Sequence, residues 1–142
     1  MTKKVSLDEV KNLAYEFAIK YLDWDEPIPE FETRFPGILE SCLEQPFQNV
    51  YGEVLYRGVT KKASMLFYLM IKNHPFKNGN KRLAVLTTLL FLHKNSRWLY
   101  VSNQRLYELA VEVSKSEMKD KENVINALNV LLAENIKNKL PE

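Results

Sequence analysis

His74-Pro75-Phe76-Lys77-Asn78-Gly79-Asn80-Lys81-Arg82 separates two apolar helical patterns, and where those patterns stop and restart decides the fold. Upstream, Ala63, Leu66, Phe67, Met70 and Ile71 keep helical spacing from a cap at Thr60 to about Asn73. Pro75 bars the preceding residue from the right-handed helical region, so the helix stops with His74 extended. Downstream, a second helix starts near Gly79-Asn80 and runs to about Asn95. Its Leu83, Ala84, Val85, Leu86, Leu89, Leu90, Phe91 and Leu92 cover most of its circumference, which marks a central buried helix.

Outward from this pair the chain continues to read as helices. Ser6-Leu7-Asp8-Glu9 is a capping box, and Leu7, Val10, Leu13, Ala14, Phe17, Ala18 and Tyr21 extend it as a first helix ending near Leu22. The stretch from Asp23 to Pro36 holds five acids and three prolines and reads as irregular. Gly37 to Gln45 reads as a short helix with Cys42 in the core, and Pro46 to Gly58 as turn-rich or extended. Arg97 to Val101 has room for a brief extended piece. Ser102 caps a helix through Leu106, Leu109, Ala110 and Val113. Asp120 opens the last helix, with Val124, Ile125, Leu128, Leu131, Leu132 and Ile136. No convincing set of strands appears. The expected class is all-α, with residues 1–142 forming a single domain.

Composition narrows the function. Apolar residues make up 46% and charged residues 27%, which excludes a disordered tail. The longest apolar run, Leu83 to Leu92, contains two threonines and is far short of the ~20 residues of a membrane span. Met1 to Val5 lacks the apolar core of a signal peptide, and one cysteine excludes an internal disulfide; the expected compartment is the cytoplasm. The formal charge of +2 hides an uneven distribution: Val54 to Tyr107 holds ten bases and no acid. Such a block can form a solvated basic face or collect anions. The modest pI and the lack of a basic stripe on any helix argue against nucleic acid.

The nine-residue loop favours a compact phosphate ligand. Gly79 permits a positive φ and Asn80 tolerates one. The amides that open the next helix would then face into the loop, an anion site. Lys81 and Arg82 stand in that helix's first turn, where they oppose the macrodipole, and a bound polyanion would remove the conflict. Arg82 can grip phosphate oxygens as a fork, and Lys81 supplies a point charge. His74 is of the residue type suited to proton transfer near neutral pH, and beside a phosphate cradle it becomes a candidate general base. Phe76 reads as a buried anchor, Lys77 as solvated, and His93 as a structural residue near a helix C-terminus.

His74-Pro75-Phe76-x-Asn78-Gly79-Asn80-Lys81-Arg82 resembles the signature of the Fic/Doc superfamily, and within it the death-on-curing toxins. Gly37-Ile38-Leu39-Glu40-Ser41-Cys42-Leu43, Pro46, Tyr51-Gly52, Leu89-Leu90-Phe91-Leu92, Asn95 and Leu106-x-x-Leu109-Ala110 also fit, so the likeness covers about residues 5 to 135. The resemblance implies a bundle of about six helices and transfer of part of ATP, or another nucleoside triphosphate, to a protein hydroxyl. It implies His74 as base, Gly79 as the backbone anion nest, Asn80, Lys81 and Arg82 as phosphate contacts, and a flap within Gln45 to Gly58 that aligns the target peptide. Lys81 stands where nucleotidyl-transferring members carry glycine. It matches the toxins that phosphorylate a translation elongation factor, so phosphoryl transfer is expected ahead of AMP transfer. Asn78 stands where most members carry an acidic Mg²⁺ ligand, and a neutral amide is a weaker ligand for a hard cation. Glu44, Glu53 and Glu108 are the acids the fold could bring there. A catalytically weak nucleotide-binding module is the alternative that Asn78 raises. Glu122-Asn123 and Glu134-Asn135 only partly match the family's built-in inhibitory helix, which implies a cognate antitoxin acting in trans.

Overall fold

The computed structural model describes residues 2–22 and 27–138. Residues 23–26, part of the acidic irregular segment, lie outside the described residues. The fold is all-α, a helical bundle with two small antiparallel strand pairs. The first helical run, α1, comprises Leu7–Glu9, a π-type turn Val10–Ala14 and Tyr15–Tyr21. It is followed by α2 (Ile38–Glu44), α3 (Gly58–Lys72), α4 (Asn80–Lys94), α5 (Asn103–Lys115) and α6 (Lys121–Asn135).

Helix α3 is the centre of the molecule. Every side chain from Lys62 to Ile71 is buried, because α4, α5 and α6 all pack against it. It begins two residues before the expected Thr60 cap. Gly58, at φ +83°, makes the turn into the helix that a capping side chain would otherwise make. Helix α4 is buried on most sides, as its sequence requires, through Leu83, Ala84, Val85, Thr87, Thr88, Phe91 and Leu92.

The ends of α1 and α4 are tied together. Ser6 Oγ accepts the Glu9 amide at 3.1 Å and Glu9 Oε1 accepts the Ser6 amide at 2.9 Å, so the capping box is complete. The same Glu9 oxygen accepts Lys94 Nζ at 2.6 Å. Of the apolar face expected on α1, Val10, Ala14 and Ala18 are buried, while Leu13 and Phe17 are exposed. Those two join Leu86, Leu90, His93 and Trp98 around an open apolar groove of about 320 Å³.

Short strands form in the segment read as turn-rich or extended, in the brief extended piece after α4, and just past α6. β1 (Asn49–Val50) pairs with β2 (Glu53–Val54) in a hairpin turned by Tyr51 and Gly52, both at positive φ. β3 (Arg97–Leu99) pairs with β4 (Ile136–Asn138). Ile136, expected in the last helix, therefore lies outside it. The Asn135 carbonyl accepts the Tyr100 amide at 2.9 Å, and Ile136 stands opposite Leu99. No helix among the described residues is long and apolar enough to cross a membrane.

Cys42 sits in the core against α3, its Sγ 3.6 Å from the Leu69 carbonyl. Burial pushes the thiol up to about 11, against a smaller opposing effect of a hydrogen bond with Asn73. At pH 8 only about one thiol in a thousand would be ionised, so Cys42 is expected to resist a thiol reagent in the native protein and to react fully in denaturant. Rapid native labelling would show that the α2–α3 packing opens.

Candidate active site

The loop between α3 and α4 is braced from within by Asn80, the first residue of α4. Asn80 Oδ1 accepts the Phe76 amide at 2.9 Å and Nδ2 donates to the Phe76 carbonyl at 2.8 Å. Both bonds are buried, and together they orient the amide unambiguously. The same Nδ2 lies 3.4 Å from His74 Nδ1. Because Asn80 Nδ2 can only donate there, Nδ1 is the acceptor of this contact. At that length the contact is weak. The side chain of Asn80, expected at the phosphates, is thus engaged with the loop backbone.

The backbone at His74 differs from expectation. It is left-handed (φ +48°) and not extended, so it escapes the region that Pro75 forbids by the other route. The φ for which Gly79 and Asn80 were the candidates falls on Gly79 (+77°), and Asn80 is helical. A β-carbon on Gly79 would come 2.6 Å from Ile28 Cγ1, so the position is closed sterically as well as conformationally. The first α4 bond runs from the Leu83 amide to the Gly79 carbonyl at 3.0 Å, which leaves the amides of Asn80, Lys81 and Arg82 ahead of the helical ladder. Phe76 is buried, as an anchor should be.

His74, Lys77, Asn78, Gly79, Asn80 and Lys81 line one polar cleft of about 190 Å³, with Ile71 and Ser114 on its other walls. Ser114 comes from α5 and could not be found from the loop's own pattern. Its carbonyl and that of Ser116 face Lys72 Nζ, at 3.5 and 2.5 Å, which holds the end of α5 against the end of α3. Asn78 Nδ2 donates to the Pro27 carbonyl at 3.4 Å, so Oδ1 would be its metal-ligating atom. None of the described residues lining the cleft is acidic. Of the acids considered as replacement ligands, Glu44 pairs with Lys4 at 2.7 Å, Glu108 lies 3.5 Å from Arg105, and Glu53 is on the hairpin.

Arg82 is buried, and its Nη1 donates to the Leu22 carbonyl at 3.2 Å, tying α4 to the end of α1. Arg82→Ala is therefore expected to do more than weaken nucleotide binding. Loss of a buried charged hydrogen bond should lower stability by about 1.5–3 kcal/mol. Denaturant titration beside calorimetry with nucleotide separates the two effects; unchanged binding and stability would make Arg82 dispensable.

The ten-base block is not one surface. Lys62 is buried, donates to the Tyr56 carbonyl and lies 5.6 Å from the Phe47 ring, and desolvation lowers its pKa. Lys72 and Arg82 bond carbonyls, Lys94 pairs with Glu9, Arg97 bonds the Asn95 carbonyl at 2.9 Å, and Arg105 lies 3.3 Å from Glu112. At least six of the ten bases thus have partners within the chain, which weakens the case for a nucleic-acid face.

Comparison with known proteins gives the family. The model of the Fic/DOC family matches residues 4–92. "Toxin Doc" of Mycolicibacterium smegmatis (strain ATCC 700084 / mc(2)155) is 35% identical over 66 residues, which cover 46% of this chain and 51% of that protein. The chain thus spans about half the length of this relative. No solved structure matches it.

Proposed function

The chain belongs to the Fic/DOC family, and on that premise we propose that it is a toxin-like transferase that moves part of a nucleoside triphosphate, most simply the γ-phosphoryl group of ATP, onto a protein hydroxyl. The observation that carries this reading is one cleft lined by His74, by Lys81 and by the residues that open α4. A polyphosphate fits there: the helix-start amides and Lys81 meet its charge, and no described acid in the lining opposes it.

The target hydroxyl attacks the γ-phosphorus, His74 takes its proton, the bond to the β,γ-bridging oxygen breaks, and ADP leaves. Positioning and charge stabilisation do most of the work in such a transfer. Lys81 is the group suited to the terminal phosphate. Asn78 Oδ1 is the protein atom that would hold Mg²⁺, an ion that needs few protein ligands when phosphate and water supply the rest. No group of three or more His, Cys, Asp and Glu side chains that could cage a metal occurs among the described residues. When bound, the ion would neutralise phosphate charge. The β1–β2 hairpin, with Val50, Tyr51 and Val54 exposed, is the flap proposed to align the target peptide.

The resemblance to the death-on-curing toxins makes a translation elongation factor the first target to test, in the cytoplasm. The name of the relative supports a cognate antitoxin as partner. The test is the intact mass of that factor after incubation with the protein, ATP and Mg²⁺. A gain of one phosphate supports the proposal; a gain of one AMP assigns nucleotidyl transfer; no gain with retained nucleotide binding assigns the weak binding module that the neutral Asn78 favours. Lys81→Gly is expected to lose phosphoryl transfer and to gain traces of AMP transfer, read in the same spectra. Undiminished phosphorylation by this variant would make Lys81 a bystander.

A further inference from the structure

The segment Pro27–Phe35, irregular in sequence, lies against the outer side of the loop. The Phe35 amide donates to the Pro75 carbonyl at 2.9 Å. At the other end the Pro27 carbonyl accepts Asn78 Nδ2, and the Ile28 side chain closes over Gly79. Between them the buried Phe31 ring packs on Phe76, with centroids 5.8 Å apart. Four of the five residues between His74 and Asn80 are therefore met by this one segment.

The segment is anchored away from the cleft. Tyr15, on α1, donates its hydroxyl to the Pro29 carbonyl at 2.6 Å and sets its ring edge-on to Phe31 at 5.7 Å. The Arg34 guanidinium covers Phe31 at 4.6 Å from the ring centroid. A chain of contacts thus runs from Tyr15 through Phe31 and Phe76 to the loop. His74 needs such support: its side chain is exposed, its contact to Asn80 is long, and its backbone is in a region that side chains disfavour.

We propose that Pro27–Phe35 is a strap that positions the catalytic loop, and that Tyr15 and Phe31 are positioning residues for transfer although neither lines the cleft. The proposal rests on the transferase reading for its kinetic consequence and on geometry alone for its structural one. Tyr15→Phe removes the bond to Pro29 and keeps the ring. It should lower kcat by roughly 10-fold, short of the ~100-fold that a 1 Å misplacement can cost, with little change in KM for the nucleotide, whose proposed contacts, Lys81 and the helix-start amides, lie on α4. Phe31→Ala should lose more, and Phe31→Leu should recover part of that loss.

Hydrogen exchange over residues 74–82 is measured in parallel with kinetics and thermal melting. Faster loop exchange in a protein that melts within a few degrees of the parent, together with the kcat-selective loss, is the expected result. Unchanged loop exchange in both Tyr15→Phe and Phe31→Leu would overturn the strap, as would a loss of activity that only tracks global unfolding. If the parent itself transfers nothing to any target, the transferase reading fails, and loop exchange still decides the strap.

Discussion

His74→Ala is expected to fold like the parent and to lose transfer by roughly 10²–10⁴-fold, the usual worth of a general base. The side chain is exposed and approaches Asn80 only at 3.4 Å, so removing the ring takes little from the fold. The Asn80 brace on Phe76 does not depend on it. Circular dichroism and a single-turnover assay with the modified target give fold and rate together. A variant that folds and transfers at the parental rate would remove His74 from the chemistry. A variant that fails to fold would make the ring structural.

Gly79→Ala is expected to damage both stability and activity. Alanine at φ +77° costs about 1–2 kcal/mol. Its β-carbon would stand 2.6 Å from Ile28 Cγ1, so the strap or the loop must also move, with an overpacking cost of about 1–3 kcal/mol. Together these predict a loss of about 2–5 kcal/mol in denaturant unfolding, and a fall in transfer beyond what the unfolded fraction explains. The two causes can be separated. Ile28→Ala in the Gly79→Ala background should recover the steric part and leave the conformational part. No recovery would show that Ile28 does not close over Gly79 in solution.

The helices were legible where local signals agree. Ser6 and Glu9 form the expected capping box, Ser102 accepts the Arg105 amide at 3.1 Å, and Gly79 ends the loop at positive φ. These are short-range matters of side chain and adjacent backbone, so sequence spacing reports them well. The errors fall where distant segments compete with local preference. Ile136 left its helix to pair with Leu99, whereas the shift of the α3 start from Thr60 to Gly58 is a local one. Leu13 and Phe17 share helical spacing with buried neighbours and still face a groove, because burial depends on what packs opposite.

The site divides along the same line. The nine-residue loop carried most of the family resemblance and made the candidate base and the candidate anion-binding helix start legible, since backbone freedom at Gly79 and the charges at Lys81 and Arg82 are properties of adjacent residues. Only the tertiary structure decided that Asn80 braces Phe76, that Arg82 bonds the Leu22 carbonyl, and that Ser114 walls the cleft. It also turned an acidic, proline-broken segment into the outer support of the loop, through Pro27, Ile28, Phe31 and Phe35. Prolines at 27, 29 and 36 forbid a regular helix there and leave no period to read, so that segment takes its conformation from the loop and helix it packs against.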